Sequence, residues 1–175
     1  DERVAAEKVY GARKGGKSDL DMSDLEKALL AGKIACYAQG FGLLAAASAE
    51  FGWDLPLPEV ARVWRAGCII RSALLDEMAA ALDADPGRNL MFAPDFAERM
   101  RASHASLRAV VAEAALAGTP TPALGAALAY FDMMRAARST ANLLQGQRDF
   151  FGAHGFGRID APGAHHGPWG SAAGR

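Results

Sequence analysis

The chain has 175 residues, 51% of them hydrophobic, which is enough for one sizeable core and therefore one main domain. A net charge of -1 argues against nucleic-acid binding, and the dominance of Ala and Leu over β-branched residues favours an all-α fold. No apolar run approaches the ~20 residues of a membrane span, no signal-peptide pattern opens the chain, and Cys36 and Cys68 read as reduced core thiols of a cytoplasmic protein.

Asp1 to Tyr10 reads as the end of a helix that lacks both an initiator Met and a capping residue, so the chain is expected to be cut from something longer. Gly11-Ala12-Arg13-Lys14-Gly15-Gly16-Lys17-Ser18 then matches the phosphate-loop pattern G-x-x-x-x-G-K-[ST] letter for letter. That motif needs a buried strand before it and a helix starting at its Lys-Ser, so that backbone amides point at the phosphates. A charged helical pattern precedes this one, and Asp19 and Asp21 follow it with negative charge, so a basic loop is expected. Nucleotide binding lost on Lys17→Ala is the competing reading.

From Ser23 the helical signal is strong. Ser23 and Glu26 form a capping box, and the helix is expected to run to Glu50. One face carries Leu25, Leu29, Gly32, Cys36, Gly40 and Leu43, the other Leu30, Ile34, Tyr37, Phe41 and Leu44, so burial nearly all round is expected. Its glycines suggest a close backbone approach or a kink. Pro56 and Pro58 introduce a short helix, Glu59 to Arg65, with Pro58 at its first position. Arg65 and Arg71 flank an apolar segment and are expected to pair with Asp54, Glu59 or Asp76. A helix from Ile69 to Leu82 stops at Asp83-Ala84-Asp85-Pro86-Gly87.

Pro94, Asp95 and Glu98 open another helix that reaches about Ala117, with His104 expected to be a surface or hydrogen-bonded residue rather than a catalyst. After a Gly118–Pro122 linker, Thr121 and Pro122 start a helix to Arg138, with Leu124, Leu128, Phe131 and Met134 as core positions. The last helix is expected at Asn142 to Phe151. The tail from 153 to 175 is Gly-rich, carries Trp169 and His165-His166, and has too little apolar content for a core of its own. No carboxylate or Cys cluster accompanies those histidines, so no metal site is expected.

Gln147-Arg148-Asp149-Phe150-Phe151-Gly152-Ala153-His154 closes the helical run. On an unbroken helix Arg148 and His154 would sit ~9 Å apart along the axis and a third of a turn apart around it. A left-handed residue at Gly152 would fold His154 back towards Arg148, and a guanidinium fork with an adjustable imidazole would then grip an anion such as phosphate. The alternative is an arginine that merely complements the helix dipole, followed by a loop histidine.

Several blocks occur in a fixed order: Asp24-Leu25-Glu26-Lys27-Ala28-Leu29; Lys33-Ile34 with Tyr37-Ala38-Gln39-Gly40-Phe41; Trp64-Arg65-Ala66-Gly67-Cys68-Ile69-Ile70-Arg71-Ser72; Pro120-Thr121-Pro122; Asn142-Leu143-Leu144-Gln145; and the Gln147 to His154 block. Together they resemble the C-terminal helical domain of 6-phosphogluconate dehydrogenase, from about Asp1 to Trp169. Departures are mild: Leu30 and Gly32 stand where the family has an aromatic and a Ser, and Ala66 where Gly is commoner.

The resemblance implies an all-α domain over 1–152 with long buried helices, and an irregular tail over 153–175 that reaches a partner subunit. It implies NADP-dependent oxidative decarboxylation of 6-phosphogluconate to ribulose 5-phosphate, through a 3-keto intermediate, by a homodimer with shared active sites. Arg148 and His154 would bind the phosphate of the substrate held by the other subunit. NADP, the general base and the general acid would belong to segments before Asp1, so this span alone is expected to be inactive. A non-catalytic helical dimerisation module is the alternative.

Overall fold

The computed structural model describes residues 1–12 and 18–169. Seven α-helices occur among them, and the only strands there are two of two residues each. By its contacts the chain divides into two compact units, Asp1–Phe131 and Asp132–Arg175.

In the first unit, α1 (Glu2–Tyr10) buries no residue. The phosphate-loop pattern follows it, so a helix stands where that motif requires a strand, and residues 13–17 of the pattern lie outside the described residues.

The unit is built on α2 (Met22–Phe51), capped by Asp21, whose side chain accepts from the Asp24 amide, rather than by Ser23. Both residues suit an N-cap, and the hydrogen bond three residues on decides between them. Gly52, left-handed at φ 64°, ends the helix. Ala28, Ala31, Ile34, Ala35, Ala38 and Phe41 form its buried stripe, whereas Leu25, Leu29, Cys36 and Leu43 are exposed. The expectations of all-round burial and of Cys36 as a core thiol are therefore corrected. Small side chains on one face let α5 (Pro94–Leu116) pack closely there through Phe96, Met100, Leu107 and Val110, and the larger residues on the opposite face are left outside. An 18-residue window of α2 is also apolar enough, at mean hydropathy 1.3, to qualify as a membrane span by length and composition, which corrects the reading that no run comes near one. Packing against α5 buries part of that apolar content, 39% of the window, and leaves the rest exposed.

Gly32 is needed for close approach: a Cβ there would stand 2.5 Å from Leu124 Cδ2 of α6 (Pro122–Met134). Gly40 and Gly42 face open space. Ser106 of α5 donates to Asp24 at 2.9 Å, tying the start of α2 to the middle of α5.

Two shorter helices, α3 (Leu57–Gly67) and α4 (Leu74–Ala84), pack on each other through Leu57, Ala61, Leu75, Met78 and Leu82. Pro58 is the second residue of α3, not the first. The fourth helix starts five residues later than expected, because Cys68 is extended and Ile69-Ile70 runs as a loop, closed by Ser72, whose hydroxyl accepts from the Leu74 amide and from Lys33 Nζ. Tyr37 also donates to the Ile70 carbonyl. Arg65 pairs with Asp76 at 2.6 Å, one of the three anticipated partners, while the Arg71 guanidinium has no carboxylate partner among the described residues.

A 3-10 turn at Leu90–Phe92, capped by Asn89, precedes α5. His104 rests on the Phe131 ring at a centroid distance of 5.0 Å, and its buried Nδ1 has no hydrogen-bond partner among the described residues, so it is not the satisfied residue expected. Leu124, Leu128 and Phe131 pack on the core, but Met134 is exposed and α6 ends there instead of at Arg138.

The second unit holds α7 (Ala141–Gly152) and an antiparallel pair, β1 (Phe156–Gly157) and β2 (Ala164–His165), in register Phe156 to His165.

Candidate functional site

The second unit is built around one carboxylate. Asp149 lies in the last turn of α7, where a negative charge opposes the helix dipole. Its side chain is nonetheless fully buried. Four donors converge on it: the Gly155 amide at 2.8 Å and His166 Nδ1 at 2.6 Å meet Oδ1, and the Gly167 amide at 2.8 Å and the Trp169 indole N–H at 2.7 Å meet Oδ2. An ionised carboxylate only accepts, so the His166 ring proton must sit on Nδ1. These contacts close the base of the β1–β2 hairpin onto the end of α7. Trp169 also meets Phe150 edge-on at 5.9 Å, and a Cβ at Gly167 would stand 2.2 Å from its indole ring. No side chain fits at Gly167.

Burial alone would raise the Asp149 pKa. The hydrogen bonds from Gly167, Trp169, His166 and Gly155 outweigh it and hold the carboxyl well below the usual range. A depressed native pKa means that the carboxylate's contribution to stability is complete above the unfolded value of about 4, and is lost only as the pH falls through the lower native value. The Trp169 indole N–H resonance is therefore expected to hold its position as the pH is lowered to about 4, and to move only in stronger acid. Collapse of that signal above about pH 4 would contradict the arrangement.

Arg148 precedes Asp149 and His154 follows the helix. Both are exposed, and neither has a hydrogen bond or ion pair among the described residues. The left-handed residue that turns the chain is Ala153, at φ 50°, and not Gly152, which is the last helical residue. Gly152 serves differently. A Cβ there would lie 2.8 Å from His154 Nε2, so the missing side chain gives the ring its place against the helix. Positions 148 and 152 are four apart and share a helical face, so His154 folds over the face that carries Arg148, one turn beyond it. The Ala153 amide donates to the Asp149 carbonyl at 2.8 Å, so the backbone and side chain of Asp149 together pin the Ala153–Gly155 turn.

An open cleft of about 880 Å³ on the same unit is lined by Arg138, Ser139, Asn142, Gln145, Arg158 and Trp169 among others, but not by Arg148 or His154. Arg158 is paired with Asp160 there. His165 and His166 diverge: the first contacts the Pro162 carbonyl at 3.1 Å, the second Asp149. Sequence reasoning noted Trp169 and His166 in the tail but missed their convergence on Asp149. An acid in the last turn of a helix, followed by a glycine-rich segment able to offer amides, was the available signal.

The family model for the 6-phosphogluconate dehydrogenase C-terminal domain matches residues 1–169. The chain belongs to this family. Over 168 residues it is 47% identical to the Spinacia oleracea protein named 6-phosphogluconate dehydrogenase, decarboxylating 2, chloroplastic, an alignment covering 95% of this chain and 31% of that one. It is 45% identical over 173 residues to the decarboxylating 6-phosphogluconate dehydrogenase of Escherichia coli, covering 97% and 37%. The solved structure of the Plasmodium falciparum 6-phosphogluconate dehydrogenase, described in apo form and in complex with its cofactor NADP+ and its substrate 6-phosphogluconate, matches with a TM-score of 0.87 and 37% identity, over 96% of this chain and 37% of that one. The chain thus spans about a third of the length of these members of the 6-phosphogluconate dehydrogenase family.

Proposed function

We propose that this chain is the phosphate-binding and dimerising part of a decarboxylating 6-phosphogluconate dehydrogenase, with Arg148 and His154 gripping the substrate phosphate. The observation that carries this is an exposed guanidinium without a carboxylate partner among the described residues, with an imidazole folded over the next turn of the same helical face. Such a pair suits a phosphate dianion: the guanidinium offers a planar fork of donors, and the imidazole N–H adds another. Asp149 does not compete for Arg148, because its own four donors saturate it.

NADP does not fit this span. Seating its pyrophosphate needs a strand, a glycine turn and a helix, and the strands among the described residues are two-residue pieces in the tail hairpin. The cofactor, which accepts the hydride, is assigned to protein outside this span, together with the general base and acid. Arg148 and His154 then hold the phosphate end while the chemistry proceeds at the other end of the sugar acid. Binding energy taken from a non-reacting group in this way orients the reacting carbons.

A titration of the chain with 6-phosphogluconate, followed by ³¹P NMR, tests the reading. Two charge-assisted contacts of about 1.5–3 kcal/mol each correspond to millimolar affinity, with gluconate, which lacks the phosphate, binding far more weakly. Equal responses to the two sugar acids would overturn it.

The homodimer is assigned to the exposed face of α2. Leu29 and the loop residues Ile69 (99% exposed) and Ile70 line one apolar surface, and a second copy is taken as its partner. Leu29→Glu should leave the fold intact, because Leu29 is 58% exposed, and should shift the chain to monomer in sedimentation velocity. A wild-type chain that sediments as a monomer at high concentration would remove this assignment. The free thiols of Cys36 and Cys68 suit a reducing compartment such as the cytoplasm.

A further inference from the structure

We infer that Asp149 is a positioning residue for this site, setting the distance between Arg148 and His154 through the turn that joins them. The inference rests on the phosphate-site reading above and extends it to a residue that cannot touch the substrate. The Asp149 carboxylate is fully buried and all its donors come from the protein, so it has no direction left in which to meet a ligand.

The mechanical case follows from where those donors lie. His154 sits between Ala153, whose amide is held by the Asp149 carbonyl, and Gly155, whose amide is held by the Asp149 carboxylate. Both ends of its turn are therefore fixed to one residue, itself the neighbour of Arg148. Ala153 is left-handed and non-glycine, a conformation that persists only where surrounding contacts hold it. His166, Gly167 and Trp169 tie the far strand of the hairpin to the same carboxylate, so the turn cannot swing away with the tail. Without the carboxylate, Arg148 would stay on its helix and His154 would lose its place over Gly152.

Asp149→Asn preserves size but turns one oxygen into an NH₂ group facing two N–H donors. The test is a double-mutant cycle read by ³¹P titration with 6-phosphogluconate, using Arg148→Lys as the second change because it retains charge and measurable binding. Asp149→Asn should weaken binding on the order of tenfold in the wild-type background, and much less in the Arg148→Lys background, because the two act through one geometry. A purely structural role lowers the melting temperature in both backgrounds and gives additive losses; additive losses, or no loss at all, overturn the inference. Arg148→Ala titrated in parallel separates the failures: if it weakens binding while Asp149→Asn does not, only the positioning role falls, and if it has no effect, the phosphate site itself falls. Should Asp149→Asn lose helical circular dichroism, Trp169→Phe takes its place in the cycle, since it removes one donor and keeps the carboxylate.

Discussion

Replacing Arg148 with alanine is expected to weaken 6-phosphogluconate binding by a factor of ten or more. A hydrogen bond to a charged group is worth about 1.5–3 kcal/mol, which is roughly a 10- to 150-fold change in Kd. The upper end applies if both phosphate oxygens are engaged bidentately, which lysine cannot reproduce. The helix should be indifferent to the change, because Arg148 is exposed and without a partner among the described residues, and alanine is the better helix former. Far-UV circular dichroism should therefore be unaltered while the ³¹P titration flattens. Binding within a factor of two of wild type would remove Arg148 from the site.

Phe96→Ala should have the largest effect on stability. Phe96 is 1% exposed at the start of α5, inside the α2–α5 core, and truncating a buried aromatic costs about 3–5 kcal/mol through lost burial and the cavity left behind. A domain of this size has about 5–15 kcal/mol in all, so the urea midpoint of the first unit should fall steeply. Part of the loss is the Arg99 guanidinium, which lies 5.8 Å from the ring centroid. A change below about 1 kcal/mol would mean that the α2–α5 packing is not what holds this unit together.

The helices were legible in the sequence because their signals are local. Proline and acidic residues announce α5, and Gly52 and the Asp83–Gly87 breaker stop α2 and α4 close to where they were expected. Errors arose where two local signals agreed equally well, as with Asp21 and Ser23 as caps. They also arose where periodicity could not choose: both faces of α2 are apolar, and only the partner helix decides which is buried. Ile69-Ile70 looked helical, yet its conformation is settled by Tyr37 and Lys33, more than thirty residues earlier.

At the proposed site, a histidine folded back beyond a helix stop was expected from the sequence, but the means of the turn differs. The stop is Ala153, and the glycine gives space to a ring instead of supplying a positive φ. Asp149 as the centre of the tail was signalled only by an acid ahead of a glycine-rich segment, and its actual donors lie 6 to 20 residues downstream. Folding, not spacing, brings them together.

The two charges side by side on α7 also differ in how they feel the solvent. Arg148 is exposed, so the hold on a phosphate proposed for it would be screened by added salt, with a Debye length of about 10 Å at 0.1 M. The Asp149 anion is buried, and three of its four donors, two backbone amides and an indole, carry no net charge. Ionic strength thus becomes a selective solvent for this segment: a concentrated salt wash would strip the sugar phosphate from the arginine and leave the hairpin clasped to the helix, so that ligand release and tail order come apart along a single experimental axis.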